Sequence, residues 1–182
     1  MRKAVRAFDR HVQKWVDRLP RSFRNTMLFL TLIGQPPFTV GIATAVMGYG
    51  WALQLPHYLW AGATAIGVIV LTALLKLALR RPRPRNSYVK HMLFQTFSFP
   101  SGHAAGALAS YGLVAAIVTY LAVDPFLTVV TWVTMLALAF GISLSRLYLK
   151  AHYASDIIGG WIVGGIGLLL IVTELLVVSG NS

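Results

Sequence analysis

Charge is unevenly distributed along this chain, and that distribution restricts its fold more than any other feature. Charged residues make up 12% of the 182 residues and hydrophobic residues 57%, with a mean hydropathy of +0.68. A soluble domain carries roughly 25% charged residues, and an apolar helix of about 20 residues can cross the ~30 Å hydrocarbon core of a bilayer. Here the charges lie between long uncharged runs. We therefore expect an all-α polytopic membrane helix bundle.

The first uncharged run, residues 27–55, contains 29 residues. As one helix it would measure roughly 43 Å, which is too long for one straight crossing and too short for two. Gln35-Pro36-Pro37 interrupts the run, and prolines end or kink a helix because they lack an amide donor. We expect a short interfacial or re-entrant piece at 27–34, then a crossing from about 37 to 55. Four more crossings are expected, at 58–79, 101–122, 126–145 and 157–178.

Residues 1–26 form a segment of their own ahead of a single membrane-embedded domain at 27–182. Val5, Phe8 and Trp15 recur at helical spacing among eight basic residues. This pattern is typical of an amphipathic basic interfacial helix on an anionic membrane surface, and a basic flexible tail is the alternative. The segment lacks an apolar core long enough for a cleavable signal peptide.

Net charge and cysteine content narrow the possible partners. The formal net charge is +11, which alone is compatible with nucleic acid, an anionic lipid surface or an anionic substrate. The hydrophobicity argues against nucleic acid, so we expect a membrane lipid substrate and an anionic lipid surface, while the oligomeric state stays open. Without cysteine, the chain has neither a disulfide nor a thiolate metal site.

Three polar patterns stand at the ends of the expected crossings. If the crossings alternate in direction, all three patterns lie on one side of the membrane. Loops collect polar residues in any protein, so this placement alone is weak evidence. The patterns are Lys76 with Arg83-Pro84, Pro100-Ser101-Gly102-His103, and Ser145-Arg146 with His152 and Asp156.

Basic residues near the end of the second crossing are of two kinds. Lys76 lies within about the last turn of an apolar run, where an ionisable group is costly enough to suggest a functional partner; snorkelling to the interface is an equal alternative. For Arg80, Arg81, Arg85 and Lys90, anchoring at the membrane interface is the favoured interpretation.

The second pattern is typical of a helix start that can bind an anion. Ser101 is a good N-cap, Gly102 leaves the backbone accessible, and the free amides of a first helical turn attract anions. His103 would then lie beside a bound anion. Taken alone, the pattern is also compatible with an ordinary helix start.

The third pattern pairs a histidine with a carboxylate. His152 and Asp156 are four residues apart, so in a helical conformation Asp156 can accept a hydrogen bond from one ring nitrogen and leave the other free as a nucleophile. A structural hydrogen bond is the more common use of such a pair. Arg146 can offer a planar fork to phosphate oxygens. The other acidic residues are expected elsewhere and the other histidines at surfaces or interfaces: Asp9, Asp17, Asp124, Glu174, His11, His57 and His91.

Carboxylates are too few here for metal-assisted phosphoryl chemistry, which needs several oxygen ligands. Asp156 stands alone among the cations of the three patterns. We therefore expect that fixed cations neutralise the phosphate, with no metal and no other cofactor.

Together, the three patterns resemble in order and spacing the signature motifs of the type 2 phosphatidic acid phosphatase superfamily, which also includes vanadium haloperoxidases. They cover residues 76–156. The resemblance implies that His152 is the nucleophile and forms a phosphohistidine, that Asp156 orients it, and that His103 protonates the leaving group. It also implies a set of phosphate-binding groups: Lys76, Arg83, Ser101, the Gly102 amide and Arg146.

Two features depart from that family. A second Arg-Pro pair, Arg81-Pro82, could share or replace the role of Arg83, and five crossings are expected where six are common in the membrane branch.

The leading hypothesis is an integral-membrane, metal-independent phosphatase of a lipid phosphate or diphosphate: phosphatidic acid, phosphatidylglycerophosphate or polyprenyl diphosphate. The alternatives are a haloperoxidase using bound vanadate, which a five-crossing chain disfavours, and a non-catalytic anionic-lipid-binding or transporter-like protein. All 16 Lys and Arg lie on the expected active-site side, so the positive-inside rule predicts a cytoplasmic site in a multi-pass cell membrane protein. Bacterial relatives with six crossings imply an outer one.

Overall fold

A computed structural model describes residues 2–84, 87–90, 97–121 and 124–178. Across these ranges the regular structure is helical and contains no strand, as the hydropathy pattern predicts. A 3-10 turn at Arg21–Phe23 and a π-helical turn at Glu174–Val178 accompany the α-helices. The α-helices are α1 Arg2–Val16, α2 Arg24–Ile33, α3 Pro36–Ala52, α4 Pro56–Leu79, α5 Ser87–Lys90, α6 Gly102–Tyr120, α7 Pro125–Tyr148 and α8 Ala154–Thr173.

Four of these helices, α4, α6, α7 and α8, are long and apolar enough to cross a membrane. The segments Arg21–Ile33 and Pro36–Ala52 meet at a bend of 41° and make a fifth, broken crossing if they count as one span. Pro36 and Pro37 occupy the first two positions of α3, where a missing amide costs no helical hydrogen bond. The predicted bundle of about five crossings with an amphipathic N-terminal helix is confirmed.

Hydroxyl groups of α6 compensate for the break between α2 and α3. The hydroxyl of Tyr111 donates to the carbonyl oxygen of Ile33 at 2.9 Å, and that of Ser110 donates to the carbonyl oxygen of Thr39 at 3.0 Å. The Ile33 carbonyl needs such a partner, because Pro37, four residues on, has no amide to donate and lipid offers no donor. The bond to Thr39 ties the first turn of α3 to the same helix. The break is thereby held against α6.

Glycines on α8 let this helix contact α6 through the backbone. A Cβ at Gly160 would lie 2.6 Å from the carbonyl oxygen of Ser101, and one at Gly164 would lie 2.8 Å from that of Ala105. No side chain fits at those distances, and small residues of this kind allow close helix packing in membranes. The two helix starts are also joined directly, because the Ser101 amide donates to the Asp156 carbonyl at 2.9 Å.

The N-terminal helix α1 ends at Val16, well short of residue 26. Phe8 and Trp15 expose large parts of their rings, 59% in the case of Trp15, as expected of a face that contacts lipid. Asp9 and Val16 are buried, and α1 packs against α8 and α7. The helix is therefore docked on the bundle as well as being amphipathic.

Candidate active site

The structure brings all of the predicted site residues to one end of the bundle. Lys76 lies in the last turn of α4, and Arg83 lies in the extended segment that follows. Arg146 lies near the end of α7, and the loop between α7 and α8 carries His152. The remaining members belong to the starts of α6 and α8: Ser101, Gly102, His103 and Asp156.

His152 is the centre of this site and is only 1% exposed. Its Nε2 atom lies 3.1 Å from Nη1 of Arg83, which also donates to the carbonyl oxygen of Ala151 at 3.0 Å. A guanidinium can only donate hydrogen bonds, so Nε2 is the acceptor and the proton of the neutral ring sits on Nδ1. The lone pair of Nε2 thus points toward the guanidinium of Arg83.

Asp156 lies on the other side of the His152 ring. Its Oδ2 atom is 3.4 Å from Nδ1 of His152, and Nδ1 makes no hydrogen bond to the described residues. Oδ2 instead accepts from the Tyr153 amide at 2.9 Å, and Oδ1 accepts from Arg81 at 2.7 Å. Contacts between catalytic groups are often long before substrate binds and shorten in the complex. His152 and Asp156 therefore lie side by side, as their spacing in the sequence predicted, but the predicted hydrogen bond between them is not formed.

Electrostatics keep His152 neutral. Burial, followed by the positive charges of Arg146, Arg83 and Lys76, holds the pKa of His152 well below its usual range. Burial, with the nearby charge of Arg146, also lowers the pKa of Arg83 to about 10. The guanidinium therefore stays protonated near neutral pH, while the imidazole stays unprotonated.

Lys76 is buried against the start of α6. Its Nζ atom donates to the carbonyl oxygens of Pro100 at 2.6 Å and Phe97 at 3.3 Å, and a Cβ at Gly102 would lie 3.6 Å from its Cε atom. Ser101 caps α6 by accepting from the Ala104 amide. An ammonium group next to the free amides of a helix start suits a bound anion. Of the two explanations for Lys76, contact with the site describes its position better than snorkelling.

His103, in the first turn of α6, has one ring nitrogen without a partner. Its Nε2 atom is buried and makes no hydrogen bond to any of the described residues. A Cβ on Gly34 would lie 3.3 Å from the ring, so the break between α2 and α3 packs against this histidine. A buried ring nitrogen of this kind is available to exchange a proton with a bound group.

Arg146 brings two residues into the site that sequence reasoning missed. Its Nη1 atom donates to the hydroxyl of Thr31 and, at 3.3 Å, to that of Tyr88, whose ring also lies 5.7 Å from the guanidinium carbon. The signal for Thr31 was a single hydroxyl within an apolar run, and Tyr88 had none. Both side chains orient a guanidinium that is itself buried.

Arg81 corrects two of the sequence interpretations. Neither interface anchoring nor replacement of Arg83 describes it, because Arg81 bonds Asp156 and Asp9, each at 2.7 Å, whereas Arg83 contacts His152. Asp9 was expected away from the site and is instead buried beside it. The first helix therefore reaches the end of the bundle that holds His152 and Asp156.

The other acidic residues and histidines for which the structure gives contacts bond or touch residues that are not members of the three patterns. Asp17 pairs with Lys150 at 3.0 Å, Asp124 caps α7, and the ring of His57 contacts those of Tyr58 and Tyr120. Arg85 and His91 lie outside the described residues. Within the described ranges, no three histidine, aspartate or glutamate side chains lie close enough together to hold a metal ion.

The fold and the site define a polytopic helical membrane protein with a histidine-centred, cation-lined pocket at one end. Comparison with protein families matches residues 57–175 to the PAP2 superfamily. The match covers more than half of the chain. This protein belongs to the PAP2 superfamily, as its motifs predicted.

Two similar proteins come from Bacillus subtilis. Phosphatidylglycerophosphatase B of strain 168 is 27% identical over 176 residues, which cover 92% of this chain and 81% of the relative. The crystal structure of a transmembrane PAP2-type phosphatidylglycerolphosphate phosphatase has a TM-score of 0.76 at 23% identity, and the match covers 92% of this chain and 84% of the other. The second likeness establishes a shared fold over almost the whole chain.

Proposed function

We propose that this protein is an integral-membrane, metal-independent phosphatase that hydrolyses a lipid phosphate or diphosphate through a phosphohistidine intermediate. The observation that carries the proposal is the environment of His152. Its ring is buried and neutral, Nε2 presents a lone pair to Arg83, and Asp156 lies beside Nδ1.

The phosphate group is held by fixed cations and by the start of α6. Lys76, Arg83 and Arg146 neutralise its charge, and the free amides after the Ser101 cap donate to further phosphate oxygens. When Arg83 turns its fork toward the phosphate, the hydrogen bond to Nε2 of His152 is released. Substrate binding thereby frees the nucleophile next to the phosphorus atom.

In the first step, the Nε2 lone pair of His152 attacks phosphorus. The bond from phosphorus to the lipid oxygen breaks, and that oxygen takes a proton from His103, which is protonated while the bound phosphate offsets the charges of Arg146, Arg83 and Lys76. The His152 ring becomes cationic when the P–N bond forms, and the charge of Asp156 beside Nδ1 stabilises it. Asp156 therefore acts mainly in the transition state and the intermediate.

In the second step, His103 reverses its role. Now neutral, it removes a proton from water as the water oxygen attacks phosphorus, and the P–N bond breaks. The products are inorganic phosphate, neutral His152 and protonated His103, so the cycle closes without a metal or a redox group. The three cations provide the charge stabilisation that metal ions supply in other phosphatases.

The substrate is a lipid because the site lies where the crossing helices end. A headgroup can enter the pocket at the membrane interface while its acyl or prenyl tail stays in the bilayer. Phosphatidic acid, phosphatidylglycerophosphate and polyprenyl diphosphate all fit this arrangement. The name of the Bacillus subtilis relative makes phosphatidylglycerophosphate the first substrate to test.

Release of inorganic phosphate from these three lipids by the purified protein in lipid–detergent micelles tests the proposal. His152→Ala should abolish turnover, whereas the exposed His11→Ala on α1 should not. A phosphoenzyme trapped by rapid quench should be acid-labile and alkali-stable. Full activity of His152→Ala would refute the assigned nucleophile, and binding of all three lipids without phosphate release would favour the non-catalytic alternative.

A further inference from the structure

A continuous chain of charges joins the N-terminal helix to the catalytic pair. Asp9 of α1 accepts from Nη2 of Arg81 at 2.7 Å, and Nη1 of the same guanidinium donates to Asp156 at 2.7 Å. Ser155 lies between them, since its hydroxyl accepts from Arg81 at 2.7 Å. One arginine fork is thus shared by two carboxylates, only one of which faces the nucleophile.

The burial of Asp9 distinguishes this chain of charges from an ordinary surface ion pair. Asp9 is 5% exposed, although its helical neighbours Arg6 and Arg10 are exposed. Both of its oxygens are bonded, because Ser155 donates its amide to Oδ1 at 2.8 Å and its hydroxyl to Oδ2 at 3.0 Å. Burying a carboxylate costs free energy unless it is fully bonded. Asp9 meets this condition, and its bonds hold the Arg81 side chain in one position.

Asp9 changes the net charge next to the His152 ring. Asp9, Arg81 and Asp156 together carry a net charge of −1, and without Asp9 the sum is zero. A guanidinium bound to Asp156 alone would cancel the charge that must stabilise the His152 ring as it becomes cationic. Because Asp9 binds the second nitrogen of the guanidinium and offsets its positive charge, the negative charge of Asp156 can still act on Nδ1 of His152, 3.4 Å away.

We propose that Asp9 is a positioning residue for phosphoryl transfer: it holds Arg81 in place and partly neutralises it, so that Arg81 does not cancel the negative charge that Asp156 directs at His152. This inference rests on the phosphohistidine route proposed above. It makes α1 part of the catalytic apparatus, through a residue that touches neither the substrate nor the nucleophile.

Asp9→Asn tests the inference, because the amide retains the size of the carboxylate and an oxygen acceptor but loses the charge. We expect kcat to fall about tenfold, with KM unchanged within about twofold, since phosphate binding uses other residues. The matched control is Asp17→Asn. Asp17 also joins the N-terminal segment to the α7–α8 region, through Lys150 at 3.0 Å, but it is exposed, and its bonds go to Lys150 and Gln13 rather than to Arg81. It should keep kcat within about twofold of the parent.

A double-mutant cycle identifies the route of the effect. If Asp9 acts through Arg81, then Asp9→Asn should cause no further loss of kcat in the Arg81→Met background, and it should restore some activity if the unpaired Asp9 is harmful there. An undiminished tenfold loss in the Arg81→Met background, or parental kcat for Asp9→Asn alone, would overturn the inference.

Pre-steady-state kinetics separate positioning from a general loss of folded enzyme. Positioning lowers the single-turnover rate constant measured with enzyme in excess over substrate, whereas a smaller fraction of active enzyme leaves that rate constant at its parental value. A parental single-turnover rate constant together with a reduced kcat would mean fewer active molecules and would overturn the inference. Failure of the proposed function looks different, because His152→Ala would then keep its activity or the parent would release no phosphate, and either result removes both proposals.

Discussion

Replacing Asp156 by Asn gives the most direct measure of how the site stabilises its intermediate. The side chain keeps its size, and its oxygen can still accept from the Tyr153 amide, while Arg81 keeps Asp9 as an ionic partner. What disappears is the negative charge 3.4 Å from Nδ1 of His152. We therefore expect an intact fold with a selective defect in the chemical step.

The size of that defect follows from the distance. Two full charges 3.4 Å apart interact by about 5 kcal/mol at an effective dielectric constant of roughly 20. If about half of the charge has developed on the ring at the transition state, the loss is about 2.5 kcal/mol, or roughly a hundredfold in kcat. KM should change by less than about threefold, because the proposed phosphate ligands Lys76, Arg83 and Arg146 remain.

Phosphate release under saturating lipid, combined with rapid-quench measurement of phosphoenzyme formation, provides the assay. The slow step should be formation of the P–N bond, so less phosphoenzyme should accumulate at steady state than in the parent. A kcat within about threefold of the parental value, or a defect confined to KM, would refute the assigned role of Asp156.

Three further predictions concern the reaction and its place in the membrane. Activity should survive EDTA and be inhibited by orthovanadate, because fixed cations bind the trigonal-bipyramidal centre; a strict magnesium requirement that is not an effect on lipid aggregation would contradict this. The acid limb of kcat/KM should lie below pH 6.5, because the lowered pKa of His152 keeps its ring neutral down to that pH. Arg83→Gln should move this limb to higher pH, because it removes a positive charge that disfavours protonation of His152. A limb that stays in place would argue against His152 as the titrating group. The positive-inside rule predicts a cytoplasmic site, so in intact cells an impermeant maleimide should label a cysteine at Asp124 but not one at Asn86, which lies outside the described residues; the reverse pattern would place the site at the outer face and leave the enzymatic proposal intact.

Hydropathy and motif spacing predicted most of this fold and the core of the site. The crossings followed from uncharged runs that must satisfy their backbone groups as helices in lipid. The proline pair at Pro36 and Pro37 marked the break before α3 correctly. The positions of Lys76, His103 and His152 near the ends of crossings then placed them at one end of the bundle.

The residues that the sequence did not predict were missed for one physical reason: each of them bonds a partner that is distant in sequence. Asp9 bonds Arg81 across 72 positions and Ser155 across 146, and Arg146 reaches Thr31 across 115. No local periodicity reports such contacts. Arg81 and Arg83 were also indistinguishable from sequence because each precedes a proline, and the structure separates them by the carboxylate or imidazole that each one touches.

The glycine contact between α6 and α8 determines how precisely the site residues keep their positions within a fluid bilayer. Bilayer thickness and lateral pressure vary, and an interface of long, flexible side chains would pass part of that variation on to the two histidines. Gly160, four residues after Asp156, instead abuts the carbonyl oxygen of Ser101, which lies two residues before His103. Two backbones in direct contact leave almost no room for movement, so the distance between His103 and His152 is set by the dimensions of the peptide chain. The lipid-facing surfaces of α4 and α7 can therefore adapt to a different membrane without changing the geometry of the reaction.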